Sequence, residues 1–165
     1  MKRRTVFGGS RVVLDAMVII NFHNLLILDE FLAAWARGEV VVHQYVMAEA
    51  QRSAAGPLDW PTYLRQSLVF LEELCPGDET ESFFSYCDGD ISGTRIHKGE
   101  AACLALALSR GYGLACDERI VREEFNRRAP RAICINSWGI VRKAAEIGFI
   151  TTGKRGDLLK GLFYS

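Results

Sequence analysis

Residues 97–119 read HKGEAACLALALSRGYGLACDER and predict a helix, a turn and a buried strand with an acidic residue near each end. The run that follows Glu100 is apolar on nearly all sides, so the helix should be buried. Gly111 suits the left-handed position that ends many helices. The apolar run 112–116 then predicts a short strand that ends at Asp117. Glu100 and Asp117 are therefore expected to meet at one edge of a sheet, where α/β proteins bind ligands.

Both acids also have an ordinary structural explanation. A glutamate in the first turn of a helix interacts favourably with the helix dipole, and an aspartate after a strand often caps the next helix. The pair alone does not separate a ligand site from helix capping, so the other segments of the chain must be considered.

Length and charge favour a single α/β domain that spans residues 1–165. The 20 Lys and Arg residues balance the 20 Asp and Glu residues, so any nucleic acid must be held by local contacts. No apolar run reaches the roughly 18 residues of a membrane span, and the N-terminus does not resemble a signal peptide. We expect a soluble, cytoplasmic protein.

The five cysteines form no C-x-x-C pair, which favours reduced core thiols over disulfides or zinc.

Short apolar strands alternate with helices along the chain. Strands are predicted at 11–14, 40–42, 112–116 and 132–135, and the run 68–71 is either a strand or the end of a helix. Helices are predicted at 16–22, 24–37, 44–53, from 60 onward, 79–87, 100–110, after 117 to about 128, 138–148 and 154–163. This alternation predicts a three-layer α/β/α sandwich with a mostly parallel central sheet.

Four acidic residues from separate segments are placed where such a sheet has its carboxyl edge. Asp15 ends the first strand, and Glu49 lies on the helix after the second, so both join Glu100 and Asp117. Carboxylates within a few ångströms raise one another's pKa values, and a divalent cation relieves that repulsion. Oxygen ligands alone favour Mg²⁺ or Mn²⁺ over zinc. Because such metals activate water and stabilise phosphoryl transfer, the expected substrate is a phosphodiester.

The order of these segments resembles the PIN domain, a metal-dependent nuclease fold that includes the VapC-type toxins of toxin–antitoxin pairs. The matching segments are VLDAMVIIN at 13–21, VMAE at 46–49, KGEA at 98–101, CDER at 116–119 and NSWGIV at 136–141. No single segment is specific, whereas their order and spacing together are. The resemblance covers residues 11–150.

The resemblance implies a catalytic site of four acids. Asp15, Glu100 and Asp117 would bind the metal, directly or through water, and Glu49 would support them. Asn21 and Ser137 would position water or phosphate, although each is equally well explained as a helix cap. PIN domains commonly carry another acid two or three positions after the one that matches Asp117. Arg119 and Ile120 stand there in this chain, which leaves Glu118 as an imperfect substitute and favours one bound metal.

The function implied by the resemblance is hydrolysis of single-stranded or looped RNA to a 5′-phosphate and a 3′-hydroxyl. Basic residues that flank the acids are candidate contacts to the RNA backbone: Arg95, Lys98, Arg119 and Arg122. His97 is either a general acid or an ordinary loop histidine. A toxin of this family would bind a small antitoxin on the apolar face at 25–35, and homodimers are common in the family.

Two other classes of protein remain open. A catalytically silent PIN-like binding module would explain the neutral charge and the missing acid, but not the acids at all four positions. A phosphatase or receiver-like domain would use Asp15 as a nucleophile. Against that alternative, Asp15-Ala16-Met17-Val18 lacks the second acid of a typical phosphatase loop.

Overall fold

A five-stranded parallel sheet lies at the centre of residues 4–164, the part of the chain that the computed structural model describes. The strands are β1 Val12–Leu14, β2 Val40–Val42, β3 Phe70–Leu71, β4 Gly113–Ala115 and β5 Cys134–Ile135. Their order across the sheet is β3-β2-β1-β4-β5, with every neighbouring pair parallel. The ambiguous run 68–71 therefore ends in a strand.

Helices precede and follow the strands in the predicted alternation. They are α1 Ala16–Asn24, α2 Leu28–Glu30, α3 Gln44–Ser53, α4 Trp60–Arg65, α5 Asp78–Asp88, α6 Lys98–Arg110, α7 Arg119–Arg128, α8 Ser137–Glu146 and α9 Thr152–Tyr164. A π-helical turn, Phe31–Trp35, continues α2. The predicted α/β/α sandwich is confirmed, and the sheet is wholly parallel within the described residues.

The central strands are buried on both faces. All residues of β1, β2 and β4 are buried, and successive residues of a strand point to opposite faces, so helices must cover both sides of the sheet. The helix α6 packs against β1 and β4 and buries every residue from Ala101 to Ala107. The prediction of a buried helix at this position is confirmed.

The predicted start of the helix at 24–37 is wrong, because the helix begins at Leu28. The helix α1 continues to Asn24, and the chain then turns through Leu26, whose φ of 59° is unusual for leucine, before α2 begins at Leu28. The Asn24 side chain caps no helix there. It accepts a hydrogen bond from the Ala55 backbone N–H at 3.1 Å.

The apolar face at 25–35 belongs mainly to the core. Phe31 and Trp35 pack edge-to-face on Phe22, with ring centroids 4.9 Å and 6.4 Å away, and both are fully buried. These large side chains are therefore in the core and not at the surface, where the expected antitoxin would have to contact them. Leu26 is the exception, at 92% exposed.

The cysteines only partly follow the prediction of core thiols. All five are free, and Cys103 and Cys116 are buried, but Cys75 is exposed. In the part of the chain that is described, no helix combines the length and the apolar character needed to cross a membrane.

A polar cluster joins the end of α6 to the segment after β3. Arg110 binds Glu72 through Nη1 at 2.6 Å and binds Glu79 through Nη2 at 2.9 Å and Nε at 3.0 Å. Tyr112 also donates to Glu72, at 2.9 Å. Both carboxylates are largely buried, and the Arg110 guanidinium forms an ion pair with each of them. We therefore expect Arg110 to stabilise the fold.

Candidate active site

The candidate site lies at the point where the strand order reverses. From β1 the chain proceeds to β2 on one side, whereas β4, later in the chain, pairs with β1 on the other side. A crevice at the carboxyl ends of the strands is expected at such a switch point. Asp15 follows β1 directly, and its backbone N–H donates to Ala115 O at 2.9 Å. Asp117 lies two residues beyond β4, so both predicted aspartates flank the crevice.

Asp15 is a buried carboxylate with an unsatisfied oxygen. The residue is 2% exposed, and no donor among the described residues reaches Oδ1. The thiol of Cys116 approaches Oδ2 at 3.6 Å. The pKa of the carboxyl is raised to about 7 by burial and by the charges of Glu100 and Glu49, against the Ala16 N–H, which lowers it. Buried polar groups in native proteins are normally paired, so this oxygen calls for a functional explanation.

Glu49 faces the same point from α3. A Cβ atom placed on Gly99 would lie 2.8 Å from Glu49 Oε2 and 3.8 Å from Asp15 Oδ1, so both carboxylates approach the first turn of α6 at this glycine. The predicted support of Asp15 by Glu49 is thus geometrically consistent. Gly99 is a functional candidate that the sequence analysis did not identify. A glycine in a helix that otherwise consists mostly of strong helix formers is a signal that could have indicated it.

We expect Gly99→Ala to lower activity without lowering stability. The added methyl displaces the Glu49 carboxylate, which is the flexible end of a side chain, while alanine favours the helix by about 0.5–1 kcal/mol. The RNA cleavage that the resemblance implies should fall about tenfold or more, with an unchanged or higher urea midpoint. Gly156→Ala on α9 is the matched control, because its Cβ would meet no atom within 4 Å. Equal activity of Gly99→Ala and wild type would contradict the role assigned to Glu49.

Glu100 both caps α6 and faces the acids. Its Oε2 accepts a hydrogen bond from the His97 backbone N–H at 3.1 Å, so the ordinary capping explanation holds. Burial raises the pKa of Glu100, and the charges of Glu118 and Glu49 raise it further, whereas His97 lowers it. The Glu100 side chain therefore both caps the helix terminus and lies among the charges of the acidic crevice.

Asp117 is held by three hydrogen bonds. Ser137 donates to it through the backbone N–H at 2.7 Å and through Oγ at 2.6 Å, and Asn21 Nδ2 donates at 2.9 Å. The cap of α8 is Asn136, whose side chain accepts from the Gly139 N–H at 2.9 Å. Asn21 and Ser137 therefore orient Asp117, and the alternative in which they act as helix caps is wrong.

The other predicted residues are placed less favourably. Glu118 is exposed, its charge raises the pKa of Glu100, and its backbone carbonyl accepts from the Cys116 thiol at 3.9 Å. Arg119 pairs with Glu123 on its own helix at 2.6 Å, and Arg122 donates to Cys116 O at 2.9 Å, which supports the end of β4. Arg95 is exposed and lines neither cleft of the crevice. Of the four predicted RNA contacts, Lys98 lines the cleft beside Glu49.

Two clefts flank the acids. The cleft beside Glu49 has a volume of about 540 Å³ and is lined by Tyr45, Ala48, Glu49, Arg52, Ser53, His97, Lys98 and Gly99. The cleft beside Asp117 has a volume of about 290 Å³ and is lined by Met17, Asn21, Asp117, Asn136, Ser137, Trp138 and Leu162. Tyr45 and Arg52 were not among the predicted contacts.

The donor chemistry of the site fits a hard divalent cation. Asp15 offers an unpartnered oxygen, and the surrounding ligands are carboxylates, which Mg²⁺ and Mn²⁺ prefer. Within residues 4–164, however, no three His, Cys, Asp or Glu side chains already surround a common point that would hold a metal ion. The partly exposed glutamates are the donors that can move, since Asp117 is fixed by its three hydrogen bonds.

Comparison with known proteins gives a structural likeness at low sequence identity. No protein-family model and no curated protein matches the sequence. The fold is similar to the crystal structure of PAE2754 from Pyrobaculum aerophilum, with 18% identity and a TM-score of 0.49. The alignment covers 82% of this chain and 98% of that chain. Function must therefore be argued from the site.

Proposed function

We propose that this protein is an endoribonuclease that hydrolyses RNA phosphodiester bonds with the help of Mg²⁺ or Mn²⁺. One observation carries the proposal. Asp15 is buried at the switch point of the sheet with an unpartnered oxygen, and both Asp15 and Glu49 approach Gly99 in the first turn of α6. An unpaired buried carboxylate is costly, and it is retained where a ligand satisfies it. The resemblance to PIN domains supplies the reaction class.

Asp15, Glu100 and Asp117 would hold the cation, with Glu49 beside them. When bound, the cation would neutralise the carboxylates, activate a water and stabilise charge on the reacting phosphate. The chain itself positions these groups. Asn21 and Ser137 fix the orientation of Asp117, and burial keeps solvent from Asp15, whose Oδ1 has no hydrogen-bond partner among the described residues.

The test is cleavage of a mixed RNA pool by purified protein in Mg²⁺, in Mn²⁺ and in chelator, beside Asp15→Asn prepared in the same way. We expect metal-dependent cleavage by the wild type and none by the variant. RNA left intact by a folded wild type that binds the metals would exclude the nuclease. A contaminating nuclease would reveal itself by equal cleavage in both preparations.

One observation favours a catalytically silent binding module instead. Both oxygens of Asp117 already accept hydrogen bonds from within the chain, so this residue has a structural role without any metal. The silent module is the conclusion if the wild type folds, binds Mg²⁺ and cleaves no RNA. Isothermal calorimetry with Mg²⁺ separates that outcome from a protein with no metal site.

A role as the toxin of a toxin–antitoxin pair rests on the sequence resemblance alone, as do an antitoxin partner and a homodimer. An antitoxin would have to bind outside the buried face formed by Leu28, Phe31, Leu32 and Trp35. Growth arrest on expression of the wild type, with normal growth on expression of Asp15→Asn, tests the toxin role.

A further inference from the structure

We propose that the cleft beside Glu49 is a binding subsite for single-stranded RNA, in which a base stacks on Tyr45 and in which Arg52 and Lys98 bind backbone phosphates. This inference deepens the proposed function and rests on it for the substrate class. The subsite would determine where the RNA strand lies relative to the acids.

The cleft opens directly onto the proposed catalytic acids. Glu49 and Gly99 are part of its lining, and the same Gly99 lies against the Asp15 carboxylate. Its volume, about 540 Å³, is in the range of small-ligand pockets. A group bound in this cleft therefore lies next to the proposed metal site.

Tyr45 is a supported aromatic surface. Its ring lies 4.6 Å from that of His43 and 5.7 Å from that of Phe83, with an interplanar angle of 32° to the latter, yet the residue is 37% exposed. Packing against His43 and Phe83 restricts the rotation of the Tyr45 ring, and Tyr45 also lines the cleft. A rigid exposed aromatic ring is the typical platform on which proteins stack unpaired bases.

His43 is fixed in one neutral form behind Tyr45. Its Nδ1 accepts the Tyr45 backbone N–H at 3.1 Å, so Nε2 carries the proton and donates to Glu73 at 3.0 Å. Burial, and then the positive charge of Arg110, lowers the pKa of His43 to about 4. The ring therefore stays uncharged near neutral pH and acts as a constant support for Tyr45.

The basic residues of the cleft are available to a ligand. Arg52 and Lys98 are exposed, and neither forms an ion pair with any other described residue. Arg119 and Arg127, by contrast, are already paired on α7. Free cations beside a group of carboxylates offset the repulsion that a phosphate would otherwise meet there.

The spacing along α3 favours a single strand as the occupant. Tyr45, Glu49 and Arg52 are four and then three residues apart, so they follow one another along one face of the helix. A stacking ring, an acid and a phosphate contact are thus presented in a row. Duplex RNA hides the faces of its bases, whereas an unpaired strand exposes them to stacking.

The test measures binding of a fluorescein-labelled 12-nucleotide oligouridine to the Asp15→Asn protein in Mg²⁺ by fluorescence anisotropy. In this background Tyr45→Leu should weaken binding about tenfold, and Tyr45→Phe should bind within twofold of the parent. Arg52→Met and Lys98→Met should each weaken binding and reduce the salt dependence by about one charge. Tyr45→Leu should leave that salt dependence unchanged.

Two controls separate the subsite from general effects. Phe84→Leu removes a 59% exposed aromatic ring that does not line the cleft, and Arg127→Met removes a positive charge on α7. Both should bind like the parent. The inference is overturned if the parent does not bind the RNA, if Tyr45→Leu binds like Tyr45→Phe, or if Phe84→Leu is as weak as Tyr45→Leu.

The binding test of the subsite and the cleavage test of the nuclease can give different answers. If the wild type cleaves RNA and Tyr45→Leu does so with the same KM, the subsite is wrong and the nuclease stands. If no cleavage occurs but binding depends on Tyr45, the subsite stands and the nuclease is wrong.

Discussion

Replacing Asp15 with asparagine is expected to abolish RNA cleavage and, at the same time, to stabilise the metal-free protein. The catalytic effect should be at least about 100-fold, because a neutral amide removes a charge from the proposed cation site. The stabilisation follows from burial, since Asp15 is 2% exposed with an unpartnered oxygen and asparagine carries no charge to desolvate.

The sign of the pH dependence follows from the raised pKa. The Asp15 carboxyl has a pKa of about 7 in the folded protein against an ordinary 3.8, so the folded state keeps a proton that the unfolded chain releases. Wild-type stability should therefore fall as pH rises from about 4 through about 7. We expect Asp15→Asn to be similar to the wild type at pH 4 and more stable by about 1–3 kcal/mol at pH 8.

Urea denaturation in chelator at both pH values measures this difference. Asp117→Asn is the matched control, because Asp117 accepts three hydrogen bonds and an amide group cannot accept all of them. That variant should lose about 1–2 kcal/mol. If Asp15→Asn were less stable than the wild type at pH 8, the ionised Asp15 carboxylate would not destabilise the folded protein.

Replacing Arg110 with methionine should cause the largest loss of stability, about 2–4 kcal/mol. The guanidinium binds Glu72 and Glu79 and donates to the backbone carbonyl of Glu73 at 2.5 Å. Methionine keeps most of the apolar stem but leaves the largely buried Glu79 carboxylate without a cation among the described residues. Glu72 keeps only Arg11, whose Nη1 lies 3.3 Å from Oε2. The free energy of unfolding from urea titrations at pH 7 measures the loss.

The same cluster predicts an acid-dependent stability. The hydrogen bond from Arg110 is the main cause that lowers the pKa of Glu79 to about 2, so this contribution is complete above about pH 4.5 and is lost as pH falls toward 2. Arg110→Met should reduce that acid-dependent loss.

Arg119→Met is the control for a surface ion pair. Arg119 and Glu123 are 83% and 60% exposed, so its removal should cost less than about 0.5 kcal/mol. Equal effects of the two arginine variants would mean that the Arg110 cluster is solvated.

The parts of the fold that the sequence predicts well depend on local patterns. The buried helix and strand at 97–119 follow from an uninterrupted apolar run and a glycine terminator, and this pattern places Glu100 and Asp117 correctly. The break at Leu26 has no such signal, because neither glycine nor proline marks it. Across the break, the Ile27 N–H donates to Phe22 O at 2.9 Å, and the Phe22 and Phe31 rings on its two sides pack on each other.

The candidate site shows a similar division. Acids at strand ends are predictable, because parallel strands bring their carboxyl ends to one edge. The orientation of Asp117 by Asn21 spans 96 positions in sequence and has no local signature. Sequence proximity to the acids does not show how an arginine is engaged: Arg119 binds Glu123 on its own helix, and Arg122 donates to the Cys116 carbonyl after β4. Tyr45 and Arg52 look like ordinary residues of an amphipathic helix until the cleft is seen.

The long separation of Asp117 from its partners has a consequence for protein synthesis. Asn21 is made before Asp117, whereas Ser137 follows β5 and is made 20 positions after Asp117. A growing polypeptide therefore lacks two of the three hydrogen bonds that orient Asp117 until the ribosome has released the start of α8. Under the proposed nuclease function, the messenger RNA and ribosomal RNA around the nascent chain would meet all four acids before Ser137 fixes the orientation of Asp117.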